Sequence, residues 1–179
     1  MTWRTHAVVG ANSLWLLLFT AKVDQSIIVY LPIALFASIL PDIDATAAKV
    51  HYIGGGVLGI FKGVFTGGKY FHHRGIMHSL FVAVLLSFVV WIFSKNYYPV
   101  LCYIFGLSYF SHAVIDGFNT RVGYFYPFTT KRFALLPRPL LTPVKGAADK
   151  LFFVAAAFGL ILFFFYFYLR FSAGSNMMF

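Results

Sequence analysis

Apolar residues fall into five runs, at about 7–21, 26–40, 76–93, 97–115 and 151–169, separated by polar, glycine-rich or proline-containing stretches. The last three runs have 18 to 19 residues, close to the roughly 20 that an α-helix needs to cross the hydrocarbon of a bilayer. The first two are nearer 15 residues and are divided only by Lys22-Val23-Asp24-Gln25. They predict a tight helical hairpin, slightly short for a full crossing, which either extends through flanking polar residues or sits where the membrane thins. The pattern predicts an all-α integral membrane protein, a bundle of about five transmembrane helices forming a single domain over residues 1–179.

Composition agrees. Hydrophobic residues make up 60% of the chain, charged residues 11%, and the mean hydropathy is +0.81, whereas about a quarter of the residues of a soluble domain are charged. Arg4 ahead of the first run gives it a superficial likeness to a signal peptide, but no small-x-small cleavage site follows Leu16–Thr20, so a retained first span is expected. The single cysteine, Cys102, lies inside an apolar run and rules out a disulfide framework or a thiolate metal site.

The net charge of +9 has its first explanation in topology, because Lys and Arg collect in cytoplasmic loops. Arg4, Lys49, Lys62, Lys69 and Arg74 fall on one side of the membrane, together with Arg121, Lys131, Arg132, Arg138, Lys145 and Lys150. Only Lys22, Lys95 and Arg170 fall on the other. This asymmetry predicts a multi-pass protein with a cytoplasmic N-terminus. Its partners are membrane lipids and a small-molecule or lipid substrate rather than nucleic acid, and the cations can also attract anionic lipid or a phosphate-bearing substrate.

Two connections stand out. In 51–69 glycine is dense, with Gly55, Gly59, Gly63 and Gly67 at four-residue intervals. On a helix these would form a smooth ridge permitting close approach of a neighbour, an interfacial segment roofing a site; the same glycines also suit a flexible loop. The 119–150 connection carries Pro127, Pro137, Pro139 and Pro143 with an excess of cations. It is expected to lack long helices and to lie against headgroups on the cytoplasmic side.

The chemistry gathers in three phrases: Leu40-Pro41-Asp42-Ile43-Asp44, His73-Arg74-Gly75-Ile76-Met77-His78-Ser79 and Ser111-His112-Ala113-Val114-Ile115-Asp116. The chain has only five acidic residues, and three of them are here. By the predicted topology these phrases, with His6, reach one membrane face, where chance would scatter them over both. His112 and Asp116, at i and i+4, stand on one helical face, as metal ligands or as a pair orienting two helices. Asp42 and Asp44 follow a proline; in extended backbone they would point the same way, and a divalent cation would relieve their repulsion, whereas a helix cap needs only one Asp. His73 and His78 flank Gly75, whose bend can bring both rings to one cavity. Arg74 between them is a candidate anchor for a phosphate or carboxylate, or simply a topological anchor. His51 and His72 are weaker candidates.

Imidazoles mixed with carboxylates suit Zn first, with Mn or Fe as alternatives, rather than Ca or Cu(I). Seven possible ligands (His6, Asp42, Asp44, His73, His78, His112 and Asp116) exceed the needs of one catalytic zinc, so one or two ions are expected. Such centres activate water and stabilise charge on a phosphoryl or acyl group.

The phrases L-P-D-I-D, H-R-G-x-x-H-S and S-H-x-x-x-D, in this order over roughly 6–137, resemble the YdjM-like, LexA-regulated, membrane-bound proteins of bacteria, predicted to be metal-dependent hydrolases. The resemblance implies an inner-membrane location and marks the seven His and Asp positions as the family's polar positions. The chain departs from the pattern at Met77, where the family has Thr, and at Gly117-Phe118-Asn119-Thr120 after the last Asp. The resulting expectation is a metal-dependent hydrolase acting on a phosphoester or acyl ester, lipid-linked, at the cytoplasmic face. Asp44 or Asp116 would serve as base or bridging ligand, and Arg74 would hold the anionic substrate. An ion or solute carrier and a helix-locking structural protein are the alternatives.

Overall fold

The computed structural model describes residues 2–20, 25–44, 76–137 and 146–175. Among them the α-helices are α1 (Trp3–Ala11), α2 (Ser13–Thr20), α3 (Leu31–Ile39), α4 (Leu80–Ser94), α5 (Val100–Gly117) and α6 (Ala147–Ser175). Short 3-10 segments span Gln25–Tyr30, Leu40–Asp44 and Ile76–His78. No sheet forms among the described residues; one isolated antiparallel bridge joins Val122 to Phe133.

Local chemistry explains the starts. Thr2 caps α1 by accepting from the Thr5 N–H, and Ser79 caps α4 by accepting from the Val82 N–H at 3.2 Å. Each satisfies a donor that the first helical turn leaves open. Pro32 sits in the first turn of α3, where its missing N–H has no intrahelical partner to lose.

The helices depart from the sequence expectation in several places; the run at 26–40 starts as the 3-10 segment Gln25–Tyr30 and is α-helical only over Leu31–Ile39. The run at 7–21 is divided at Asn12, whose side-chain amide donates to the Val8 carbonyl at 2.8 Å and to the Ala156 carbonyl of α6 at 2.9 Å. The helix of the 76–93 run, α4, begins at Leu80, because the 3-10 turn and the Ser79 cap take up the residues before it. Helix α6 has 29 residues and overshoots the expected 151–169 at both ends. The glycine-rich 51–69 stretch lies outside the described residues, as do Pro139 and Pro143; the 118–137 stretch is free of helix, as its prolines suggested.

Helix α5 is the centre of the bundle and packs against α1, α2, α3 and α4, while α6 leans on α1. Accordingly 56% of α5 is buried but only 11% of the apolar stretch of α6. These two are long and apolar enough to cross a membrane; Ile27–Asp42 and Leu80–Ser94 are shorter apolar helices. The outward surface carries Phe19, Val84, Phe93, Leu151, Phe158 and Ile161, all exposed, while Thr5, His6, Ser38, Ser108, His112 and Asp116 are buried. Apolar groups outside and polar groups inside is the reverse of what water selects.

The polar interior also sets helix spacing. The Ser108 hydroxyl donates to the Gly10 carbonyl at 3.1 Å and lies 2.6 Å from the Ser13 hydroxyl, tying α5 to the α1–α2 junction. A Cβ on Gly10 would come within 2.1 Å of the Ser38 Cβ, an atom one bond from the α3 backbone and unable to swing away. A Cβ on Gly106 would meet chiefly the Ser87 hydroxyl, which can rotate. Gly10→Ala should therefore destabilise the protein by about 1–3 kcal/mol, the usual cost of overpacking, and Gly106→Ala by less. Thermal unfolding in detergent measures both, and a Gly10→Ala protein as stable as the parent would contradict the close α1–α3 contact.

Candidate metal centre

Four elements each deliver one part of the polar cluster. Helix α5 carries His112 and Asp116 on one face, a turn apart, both buried. The turn after α3 carries Asp42, and the turn before α4 carries His78, which is fully buried. Helix α1 carries His6, 1% exposed.

One donor atom from each of Asp42, His78, His112 and Asp116 lies within 4.8 Å of all the others. The His112 and His78 Nε2 atoms are 3.2 Å apart. Asp42 Oδ1 is 3.4 Å from His112 Nε2 and 3.7 Å from His78 Nε2, and Asp116 Oδ2 is 3.6 Å from His78 Nε2. Four donors bound tetrahedrally at about 2.0–2.2 Å would be separated by roughly 3.3–3.6 Å, so these four spacings are close to the edges of a four-coordinate site, and the remaining pairs lie within 4.8 Å. The donor set, two imidazole nitrogens and two carboxylate oxygens, fits a divalent ion of the Zn, Mn or Fe kind.

The hydrogen bonds around the cluster support the same conclusion. His112 Nδ1 lies 2.6 Å from the Ser38 carbonyl. A carbonyl only accepts, so Nδ1 carries the proton and donates, and in the neutral ring Nε2 is left bare and directed at the cluster. That is how the ring of a metal-binding histidine is usually oriented. His6 stacks on His112 with ring centroids 3.8 Å apart, and its Nε2 is 3.2 Å from Asp116 Oδ1. Asp116 thus turns one oxygen to His6 and the other to the cluster. The buried Nδ1 of His6 has no hydrogen-bond partner among the described residues.

Two tyrosines brace the assembly. The Tyr109 hydroxyl of α5 donates to the Met77 carbonyl, which pins the turn bearing His78. The Tyr124 hydroxyl donates to the Ala113 carbonyl at 3.0 Å. Burial, then the charge of Asp116, push the Tyr124 hydroxyl up to about 12, so it remains a donor throughout the neutral range. Asp42, 22% exposed, is the most exposed of the four residues.

The expected site residues divide accordingly. Asp42, His78, His112 and Asp116 are brought together, and His6 joins them through Asp116. The backbone of Asp44 continues the turn after Asp42, but that turn is 3-10 rather than extended. The extended backbone expected at Asp42–Asp44 is therefore not formed, and the Asp44 side chain lies outside what is described. His73 and Arg74, with His51 and His72, also lie outside the described residues. Ser38 and Tyr109 enter through backbone carbonyls and carry no sequence signal of a site.

A helical bundle, apolar outside, with a polar cluster able to hold a metal ion at one end of its central helix, defines a class of membrane protein with a candidate metal centre. The chain belongs to the YdjM inner membrane protein family, whose sequence model matches residues 1–175. No curated protein and no solved structure matches it.

If Tyr109 holds His78 in place through the Met77 carbonyl, Tyr109→Phe should weaken zinc binding about tenfold, as loss of an orienting contact behind a ligand does. His112→Ala, which removes a donor, should weaken it much further. Competitive zinc titration of the detergent-purified protein measures both, and unchanged affinity in Tyr109→Phe would remove that residue from the support of the centre.

Proposed function

We propose that this protein is a membrane-bound, metal-dependent hydrolase that cleaves a phosphoester or acyl ester, lipid-linked, at the cytoplasmic face of the inner membrane. In this reading α1–α2, α3 and α4 are inserted along with α5 and α6, and the N-terminus is cytoplasmic, as the distribution of Lys and Arg favours. The observation that carries the proposal is the convergence of Asp42, His78, His112 and Asp116, from three separate parts of the chain, on a space small enough for one ion.

A divalent ion held there would supply Lewis acidity toward a phosphoryl or acyl oxygen. The remaining work falls to side chains. Asp42, the most exposed of the four, meets the incoming ester first. Asp116 would hold the ion through Oδ2, with His6 bonded to its Oδ1 and keeping the carboxylate in orientation. Asp44 is the candidate for accepting a proton from attacking water, and Arg74 the candidate for binding the anionic part of the substrate. A lipid-linked substrate is supported by the apolar groove of about 560 Å³ between α4 and α5, which runs from Leu80 to Trp91 on one wall and from Phe110 to Cys102 on the other. Its Leu80 end is two residues from His78.

A helix-locking metal site is the second reading, favoured by the near-complete burial of His78, His112 and Asp116. Turnover separates the two. Phospholipids and lipid phosphates incubated with the purified protein should release phosphate or fatty acid in a chelator-sensitive way. Asp116→Asn, which weakens a ligand of the ion and its bond to His6, should lower the rate by at least about 10–100-fold. Tight metal binding without turnover on any of these lipids would favour the structural reading, and turnover indifferent to chelator and to Asp116→Asn would contradict the proposal.

A further inference from the structure

The described part of the loop after α5, residues 118–137, has an inner and an outer face with different chemistry. Inside, Val122, Tyr124 and Tyr126 are buried. The loop is fixed by paired backbone hydrogen bonds between Val122 and Phe133, 2.7 and 2.9 Å long. Further bonds run from the Leu80 N–H to the Tyr124 carbonyl at 2.9 Å and from the Leu135 N–H to the Gly117 carbonyl at 2.9 Å. These bonds seat it at the ends of α4 and α5 as a formed element.

Outside, the loop presents Phe125, Phe128 and Phe133, which are 49%, 81% and 42% exposed. Phe128 meets the exposed Phe81 of α4 edge to face at 5.7 Å, and Phe125 meets Phe133 in the same manner at 5.4 Å. The patch therefore continues from the loop onto the first turn of α4. Arg121, Lys131 and Arg132, all exposed, occupy the same loop, and residues 118–137 contain no Asp or Glu. Aromatic rings that leave the bundle surface at the end of apolar helices, beside three exposed cations, match the two layers of a bilayer interface, acyl chain below and phosphate above.

We propose that this loop is a binding site for an anionic phospholipid headgroup, with Arg121, Lys131 and Arg132 meeting the phosphate and Phe125 and Phe128 seated among the upper acyl carbons. The site is separate from the metal centre and does not depend on hydrolysis. Each cation near an anionic surface favours binding by about fivefold, so the three together give roughly a hundredfold preference for anionic over zwitterionic lipid, reduced by salt.

The test uses the full chain with Cys102→Ser and Phe128→Cys, labelled at the new cysteine with an environment-sensitive fluorophore. It is reconstituted into vesicles of phosphatidylcholine alone or mixed in equal parts with phosphatidylglycerol. The probe should emit as in an apolar medium and be quenched far more strongly by brominated phosphatidylglycerol than by brominated phosphatidylcholine. Arg121→Gln, Lys131→Gln and Arg132→Gln combined should abolish that preference while leaving the probe shielded, and the substitutions are on exposed side chains that leave the fold intact. Water-like emission in both vesicles, or equal quenching by both lipids, would overturn the proposal. Loss of the preference on adding inorganic phosphate, beyond that caused by chloride of equal ionic strength, would assign the cations to free phosphate instead and overturn it equally.

Discussion

A carboxylate as deeply buried as Asp116 must meet compensating donors or charge within a few ångströms, because an uncompensated ion in an apolar interior costs several kcal/mol. Helix α5 alone cannot satisfy it. One of its oxygens is met by His6 from α1 and the other by His78 from the turn before α4, so ionising Asp116 requires these elements to close on α5. His112 extends the requirement to α3, since its ring is held by the Ser38 carbonyl and faces Asp42 just beyond that helix. The cluster and the packing of the bundle are therefore one constraint. In a bundle whose outer surface is apolar, hydrophobic burial contributes little to choosing one helix arrangement over another, and polar contacts and close packing decide it.

The contacts that hold the bundle away from the cluster follow the same logic. Asn12 and the Trp15 indole donate to the Ala156 and Gly159 carbonyls of α6, and Asp149 accepts from the Thr5 hydroxyl at 2.7 Å. Thr5 is next to His6. The outermost helix is thus tied by polar contacts to the helix that supports Asp116, although little of its own surface is buried.

Part of this arrangement was legible in the sequence. His112 and Asp116 were readable as a pair because a helix long enough to cross a bilayer imposes one periodicity, and i, i+4 then places both on one face. Asp42 and His78 were readable as members of the site because so few polar residues flank the apolar runs. The local backbone was less legible. The residues around Pro41 permit both an extended and a 3-10 course, and the choice depends on what Asp42 meets across the bundle. The division at Asn12 depends on a carbonyl of α6 that is remote in sequence. Ser38 and Tyr109 act on or through main-chain carbonyls, which every residue possesses, so no residue type announces them. His6 carries little signal by itself, since one imidazole near the end of a span has no meaning until its neighbour is known; stacking on His112 supplies it.

Membership of the YdjM inner membrane protein family and the His–Asp cluster support each other, since a membrane bundle has little other use for this concentration of ionisable groups. The central claim is that His78, His112, Asp42 and Asp116 share a single ion. X-ray absorption spectroscopy of the zinc-loaded protein tests it most directly. The account predicts about four nitrogen and oxygen ligands at about 2.0–2.1 Å, with the outer-shell scattering of two imidazole rings. A shell of oxygen alone, without imidazole scattering, would contradict it.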